Sequence, residues 1–342
     1  MPAAVFKKGP SYVRPFPASS AAIRVTAPAR LHLGFLDLNG DLGRRYGSIG
    51  LSIDRPSTHL SVAKADEHSA SGHESQRAVA LLRKFAGERP GHGYAINISE
   101  AIPAHAGLGS GTQLALAIGA AVAAIEGREL SAADVATLGE RGARSGIGVE
   151  AFTSGGFIID GGKGKTDRPP PVTLRSDFPP DWRVMLILDP RHAGVSGEAE
   201  VTAFAGLPPF PESSAAHICH LVLMKLVPGL KEQDLAAFGS ALTEIQEIVG
   251  GHFASKQGGS AWTSKAVGNL ASRMREQGAT GIGQSSWGPT GFAFVDSQKA
   301  AERLYHSLNE DAKRDGLEIL IAHGRNTGAR IEALRNPKRT EH

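Results

Sequence analysis

A glycine-rich segment immediately precedes an apolar run, and its residue types suit the binding of an anion. Residues 103–112 read Pro-Ala-His-Ala-Gly-Leu-Gly-Ser-Gly-Thr, and the Ala-rich run from Leu114 to Ile125 predicts a buried helix. The start of a helix exposes backbone N–H groups and the positive end of its dipole, and glycines let a phosphate approach closely. We therefore predict that an anion binds six consecutive residues, Gly107, Leu108, Gly109, Ser110, Gly111 and Thr112.

Ser110 and Thr112 add hydroxyl groups to this segment, and the Ser110 hydroxyl is also a candidate metal ligand. The segment is not a Walker A loop, because it lacks the Gly-Lys-Ser/Thr ending, and it does not match the dinucleotide-binding fingerprint. The alternative is an ordinary glycine-rich turn that is capped by Ser110.

A second group of polar residues lies among apolar neighbours near the N-terminus. An extended segment runs from Ile23 to Leu38, and Gly43 and two arginines follow it. Asp37 could bind a divalent metal or a proton. An arginine pair beside glycines suits a bidentate hold on a phosphate. The candidate residues are Arg30, His32, Asp37, Arg44 and Arg45. The alternative is a hairpin with Asp37 in its turn and the arginines solvated.

A third segment, residues 281–291, places one tryptophan among glycines and serines. An indole ring in such a loop can offer an aromatic face to a planar ligand. The candidates are Gln284, Ser285, Ser286 and Trp287. The alternative is a packed turn between two lobes.

The elements that must position these residues alternate between strands and helices without strict βαβ order, which predicts an α+β fold with two lobes. A Gly/Pro-rich break at residues 161–171 is the candidate boundary. We expect a leader at 1–22, an N-terminal lobe at 23–165, a C-terminal lobe at 166–334 and a basic tail at 335–342. A helix is predicted from Ser131 to Arg144, and the last strand at Leu317–Ala322.

Length and composition limit the possible classes of function. The chain has 342 residues, 41% of them hydrophobic, which suits about two globular domains. The net charge is +3, yet residues 1–24 contain four basic and no acidic residues. The basic excess therefore lies in the termini, and we expect no nucleic-acid partner. The sequence has no run of 18 apolar residues, and its first 20 residues lack the apolar core of a secretory signal. We therefore expect no membrane span, no secretory signal and a cytoplasmic protein.

The three segments together, in this order, resemble the GHMP kinase superfamily. The Pro-x-x-x-Gly-Leu-Gly-Ser run at residues 103–110 is similar to its phosphate-loop signature. The resemblance implies an N-terminal lobe of the ribosomal S5 domain 2 type and a ferredoxin-like C-terminal lobe. The kinases carry a Ser-Gly-x-Asp frame whose aspartate is the presumed base, whereas this chain has Gly148 at that position. The resemblance is therefore to a branch that is not an ordinary hydroxyl kinase.

The chain resembles the β-ribofuranosylaminobenzene 5′-phosphate synthase branch of that superfamily, which fits better than the kinases. The matching runs span both lobes: residues 36–44, 106–113, 144–162 and 283–290. This resemblance implies a glycosyltransferase of methanopterin biosynthesis that joins phosphoribosyl pyrophosphate to 4-aminobenzoate or 4-hydroxybenzoate. The products would be a C-riboside 5′-phosphate, CO₂ and pyrophosphate.

The resemblance also implies Mg²⁺ and no ATP. Its magnesium ligands would be Asp37 and Ser110, with Asp37 and Arg44 as catalytic residues. The phosphate loop would hold the pyrophosphate, residues 284–287 would border the aromatic acid, and Arg30, His32 or Arg325 would orient its carboxylate. We expect small-molecule substrates and a possible homodimer. Two alternatives stay open: an ATP-dependent small-molecule kinase and a ligand-binding protein without catalytic activity.

Overall fold

Two long antiparallel strands form the centre of the first sheet. A computed structural model describes residues 22–194, residue 202 and residues 206–334. Strand β1 spans Ala22–Asp37 and strand β2 spans Tyr46–Ala65, and they pair from Ala22 with Ala63 to Asp37 with Tyr46, with two shifts of register. Side chains alternate between the faces of a strand. Arg30 and His32 therefore alternate with buried apolar residues of β1 and share the opposite face.

Five further strands complete this seven-stranded sheet. They are β3 (Ser69–Gly72), β4 (Gly93–Glu100), β5 (Phe157–Asp160), β6 (Val172–Ser176) and β11 (Arg330–Leu334). The main order is β11-β1-β2-β4-β3, with β5 pairing β2 and β6 pairing β5. The four helices of this lobe are α1 (Ser75–Ala86), α2 (Ser110–Glu126), α3 (Ala132–Leu138) and α4 (Ile147–Thr153).

The second sheet has four antiparallel strands in the order β10-β7-β9-β8. They are β7 (Arg183–Leu188), β8 (Thr280–Gln284), β9 (Gly291–Val295) and β10 (Glu318–His323). Its helices are α5 (Glu212–Leu221), α6 (Val227–Glu232), α7 (Leu235–Phe253), α8 (Lys265–Glu276) and α9 (Gln298–Arg314). A π-helical turn, Val222–Leu226, joins α5 to α6. This strand order is that of a ferredoxin-like sheet.

A continuous apolar core joins the two lobes. It contains Leu31 and Leu33 of β1 together with Phe238 and Ile245 of α7. A separate core packs α1 and α2 onto the first sheet. The strands β6 and β11 lie after the expected boundary at residue 165, yet they pair within the first sheet, so the first lobe includes segments from beyond that boundary.

The α+β fold with two lobes is confirmed.

The predicted helix at 131–144 is wrong at its C-terminal end, because α3 ends at Leu138. Gly139 and Gly142 follow, and Glu140 and Gly142 have positive φ angles of 53° and 80°. Such backbone angles cannot continue a right-handed helix. The residues up to Arg144 therefore form a loop. The last strand is also not the predicted one, since β11 follows β10.

One helical stretch of the described chain, Glu212–Glu232, is long and apolar enough to cross a membrane. Only 33% of its most apolar window is buried. However, Ile218, Val222, Leu226 and Leu230 within it pack into the core that joins the lobes. Core helices commonly pass the same test, so this finding is weak evidence for a membrane span.

Candidate functional site

A cavity of about 680 Å³ opens where the phosphate loop meets the second lobe. The start of α2, the face of β1, the α3–α4 loop and residues 286–288 form its walls. Four of the lining side chains are arginines, and one is a carboxylate. The polar and aromatic lining includes Arg30, His32, Phe35, Tyr46, Arg77, His105, Ser110, Thr112, Glu140, Arg141, Arg144, Ser145, Ser286 and Trp287.

The phosphate loop forms one wall of this cavity. Helix α2 begins at Ser110, and its N-cap is Gly109, with no side chain bound to the cap. Ser110 is therefore not the cap of this helix, and the binding of an anion to the segment stays a prediction. Gly107, Gly109, Ser110, Gly111 and Thr112 all line the cavity, whereas Leu108 is buried in the core behind them. The helix start thus faces the space where an anion would lie.

Ser285 fixes the loop to both lobes. Its hydroxyl donates to the Gly107 carbonyl oxygen at 2.7 Å and accepts from the His32 backbone N–H at 2.9 Å. The Ser285 backbone N–H donates to the Thr290 carbonyl oxygen at 2.9 Å. Ser285 is fully buried and does not line the cavity. Its position connects β1, the phosphate loop and the β8–β9 turn.

His32, Arg30 and Arg144 form a first basic cluster. Burial and the two neighbouring arginines hold the pKa of His32 well below its usual range, so its ring is neutral. The His32 ring also contacts Phe35, at 4.3 Å between centroids. Arg30 donates from Nη1 to the Gly107 carbonyl oxygen at 2.9 Å, which places its guanidinium against the phosphate loop.

The lowered pKa of His32 predicts a pH-dependent stability. His32 takes up a proton near pH 6.5 in the unfolded chain but not in the folded chain. The free energy of unfolding therefore decreases as the pH falls below about 6.5. Between pH 7.5 and pH 5.5 we expect His32 to account for a loss of about 1 kcal/mol in unfolding free energy. Urea unfolding at the two pH values measures it.

The control compares His32→Gln with a replacement of the exposed His306. The His32→Gln variant should lose less stability on acidification than the parent, whereas His306→Gln should behave as the parent. Equal pH dependence of the parent and His32→Gln would contradict the assignment.

Arg77 and Arg141 form a second basic cluster, which the sequence reasoning missed. Arg77 lies on α1, and Arg141 lies in the loop after α3. A Cβ atom at Gly111 would lie 2.2 Å from Arg77 Nη2, so this guanidinium is held against the first turn of α2. The only available signal was the Gly139–Gly142 break in the predicted helix. Arg144 lies in a run that matches the family, residues 144–162, but no site role was predicted for it.

Several predicted residues lie outside the cavity. Asp37 Oδ1 accepts hydrogen bonds from the backbone N–H groups of Asn39 and Gly40, at 2.6 and 3.1 Å. Arg44 donates to the carbonyl oxygens of Gly161 and Gly162, both at 2.6 Å. Both residues lie at the β1–β2 turn, where Asp37 pairs with Tyr46, a cavity residue. Their catalytic roles stay predictions.

The remaining candidates divide between the cavity and its surroundings. Ser286 and Trp287 line the cavity, and Gln284 lies in the adjoining pocket behind His32. Arg45 forms a backbone bridge with Lys163. Arg325 donates to the carbonyl oxygens of Thr327 and Gly328 and lines none of this space.

The described residues do not by themselves make a magnesium site. No group of three or more His, Cys, Asp or Glu side chains within them could hold a metal. The one carboxylate on the cavity wall, Glu140, is ion-paired with Lys84 at 2.6 Å. Magnesium in proteins is usually held by one or two carboxylates together with substrate phosphates. The hydroxyl-bearing residues Ser110 and Thr112 of the phosphate loop also line the cavity.

Comparison with known proteins identifies the family. Residues 75–156 match the GHMP kinases N-terminal domain, and residues 226–314 match the GHMP kinases C-terminal domain. A homoserine kinase structure from Cytophaga hutchinsonii superposes with a TM-score of 0.64 at 18% identity, covering 93% of this chain and 99% of that one. At this identity the likeness shows the shared fold alone.

Two curated relatives are much more similar in sequence. The β-ribofuranosylphenol 5′-phosphate synthase of Archaeoglobus fulgidus is 34% identical over 91% of this chain and 99% of its own length. The enzyme of that name from Methanocaldococcus jannaschii is 33% identical over 90% of this chain and 99% of its own length. These matches confirm the branch that the sequence indicated and that the chain is an enzyme. The chain belongs to the GHMP kinase superfamily and, within it, to the family of the β-ribofuranosylphenol 5′-phosphate synthases.

Proposed function

We propose that this enzyme transfers the phosphoribosyl group of phosphoribosyl pyrophosphate to the ring of 4-hydroxybenzoate or 4-aminobenzoate, with loss of CO₂. The relatives are named for a ribofuranosylphenol 5′-phosphate, which is the product that 4-hydroxybenzoate would give. The observation that supports the proposal in this chain is the cavity itself. It combines four arginines and a helix start with aromatic side chains, which suits two anionic substrates of which one is a flat ring.

The reaction needs one bond exchange at the ribose and one at the ring. The bond from C1 to the pyrophosphate oxygen breaks, and pyrophosphate leaves with the electron pair. The ring carbon that bears the carboxylate supplies the pair for the new C–C bond. The carboxylate then leaves as CO₂ and returns its pair to the ring. No net proton transfer is required in this sequence.

The described residues can hold these groups in place. The phosphate loop offers backbone N–H groups to the pyrophosphate, where negative charge grows as the bond breaks. Arg30 and Arg144 lie beside His32, whose ring contacts Phe35, and this cluster suits the aromatic acid. Mg²⁺ would be coordinated mainly by the substrate phosphates, with the Ser110 hydroxyl as a ligand from the protein.

The position of Gly148 favours this reaction over a kinase reaction. Gly148 lines the cavity, and a Cβ there would lie 3.1 Å from Thr112 Cγ2. The position that carries the presumed base in the kinases therefore faces the phosphate loop but has no side chain to accept a proton. No ATP is expected in the proposed reaction, which has no proton to remove from an alcohol.

A single assay tests the proposal. The protein is incubated with phosphoribosyl pyrophosphate, Mg²⁺ and either 4-hydroxybenzoate or 4-aminobenzoate labelled at the carboxyl carbon, and CO₂ and pyrophosphate are measured. We expect the two products in equal amounts from at least one acid. Absence of CO₂ with both acids, together with ATP consumption on an added alcohol, would overturn the proposal in favour of a kinase.

Replacing Asp37 by asparagine separates its charge from its structural contacts. An asparagine Oδ1 can still accept from the N–H groups of Asn39 and Gly40, so the turn should persist. If the Asp37 carboxylate supports the reaction, turnover should fall at least about 100-fold, while the melting temperature changes by only a few degrees. Steady-state kinetics and thermal unfolding measure both. A turnover close to the parent's would show that Asp37 serves the turn alone.

A further inference from the structure

Arg77 and Arg141 reach one part of the cavity from separate elements. Arg77 extends from the first turn of α1, and Arg141 extends from the loop that follows α3. Gly111, in the first turn of α2, leaves the space that Arg77 Nη2 occupies. Arg30, by contrast, lies against Gly109, where a Cβ would be 3.0 Å from its Cγ. The phosphate loop therefore lies between Arg30 on one side and Arg77 on the other.

The pair is not fully compensated by the protein around it. Glu74 Oε2 is 3.5 Å from Arg77 Nη1, which is an ion pair at long distance. The Nε of Arg141 is buried and has no hydrogen-bond partner among the described residues. Burial and the charge of Arg77 both lower the pKa of Arg141, and the neighbouring Glu140 carboxylate offsets this only in part. Arg77 and Arg141 both line the cavity, so an anionic ligand there can supply the charge and the hydrogen-bond acceptors that the described residues do not.

The substrates of the proposed reaction carry three anionic groups, and the cavity has three places for them. The start of α2 suits the pyrophosphate, since that group must gain charge as it leaves. The His32 cluster is the one beside the aromatic side chains, so it suits the benzoate. The Arg77 and Arg141 pair is left for the third anion of the substrates, which is a phosphate monoester.

We propose that Arg77 and Arg141 form a separate subsite for a phosphate monoester, the 5′-phosphate of the ribosyl donor. The identity of that ligand rests on the proposed function. Two guanidinium groups match the oxygens of a terminal phosphate, and each can donate two parallel hydrogen bonds. The subsite positions the ribose without touching the reacting C1 atom. It also selects donors that carry the 5′-phosphate.

Direct binding tests the subsite without catalysis. Ribose 5-phosphate and inorganic pyrophosphate are titrated separately into the parent and into Arg77→Gln and Arg141→Gln, by calorimetry. We expect each variant to weaken ribose 5-phosphate binding at least about tenfold and pyrophosphate binding less than about threefold. Arg83→Gln, on the same helix but exposed and paired with Glu88, is the matched control and should change neither.

Other outcomes would overturn the subsite. Equal weakening of both ligands would assign the two arginines to the pyrophosphate, and unchanged ribose 5-phosphate binding would show that they hold no phosphate. Thermal unfolding shows whether each variant is folded. If Arg141→Gln does not fold, ligand binding by Arg77→Gln alone tests the subsite.

Turnover separates the subsite from the proposed function. With a donor that lacks the 5′-phosphate, ribose 1-pyrophosphate, the parent should lose at least about 100-fold in kcat/KM relative to phosphoribosyl pyrophosphate. In the two variants that preference should shrink to about tenfold or less. A preference unchanged in the variants would overturn the subsite. If no donor gives product but ribose 5-phosphate binding depends on Arg77 and Arg141, the subsite stands and the proposed reaction falls.

Discussion

Replacing Gly148 by aspartate is expected to lower kcat/KM more than 100-fold, whereas asparagine at the same position should retain most of the activity. Gly148 lies on the cavity wall beside Thr112. A carboxylate there would repel a bound phosphate, or would neutralise an arginine that the phosphate needs. Two unit charges 4 Å apart interact by about 4 kcal/mol at an effective dielectric of about 20, which is close to a thousandfold.

The asparagine variant provides the control because it has nearly the same shape without the charge. Both side chains must displace Thr112 Cγ2 slightly, since the new Cβ would lie 3.1 Å away. A difference between the variants therefore reports charge, and steady-state kinetics with phosphoribosyl pyrophosphate measures it. Equal losses would indicate that space at this position matters instead. The aspartate variant is also expected to gain no ATP consumption on added alcohols, because a base alone does not supply a nucleotide site.

Replacing Gly107 by alanine is expected to damage both stability and activity. Gly107 has a φ of +82°, and a Cβ there would lie 2.3 Å from the Ser285 carbonyl oxygen and 3.0 Å from Gly288 Cα. Both are backbone atoms, so the phosphate loop or the β8–β9 turn must move. We expect a loss of about 3 kcal/mol in unfolding free energy. A displacement of the loop by about 1 Å would lower turnover at least about 100-fold.

Gly127→Ala is the matched control for this variant. Gly127 lies at the other end of α2, has a φ of +68°, and a Cβ there would meet no atom within 4 Å. It therefore carries the cost of the backbone angle alone, about 1 kcal/mol, with activity preserved. Urea unfolding and kinetics compare the two. If Gly107→Ala behaves as Gly127→Ala does, the close packing of the loop on Ser285 does not matter for function.

The phosphate loop was predictable because its chemistry is local. A helix start needs only a glycine-rich approach and an apolar run after it, and both lie within residues 103–125. The structure starts α2 at Ser110 and places the loop on the cavity wall, as the spacing indicated. The absence of the kinase aspartate at Gly148 was likewise visible in a short segment, residues 145–148.

The roles of individual arginines could not be predicted in the same way. Arg44 and Arg325 stand beside glycines in the sequence, as a phosphate-binding arginine would, yet their guanidinium groups donate to backbone carbonyls. Arg77 lies in an amphipathic helix, with no glycine beside it in the sequence that would indicate a phosphate site. A guanidinium is long enough to serve either a ligand or a nearby carbonyl, and the choice depends on what the fold places within its reach.

The sequence by itself determined the α+β class and the two lobes, which depend on the pattern of strands and helices. It also determined the family and the glycine-rich loop before α2, which depend on contiguous motifs. Only the tertiary structure decided that Arg30, Arg77, Arg141 and Arg144 border one cavity, since they come from a strand, a helix and a loop. The tertiary structure also shows that α3 ends at Leu138, so that Arg141 and Arg144 lie in the loop that follows it. The packing of α1, α2 and β1 sets where these charges meet, and no local pattern in the chain records that packing.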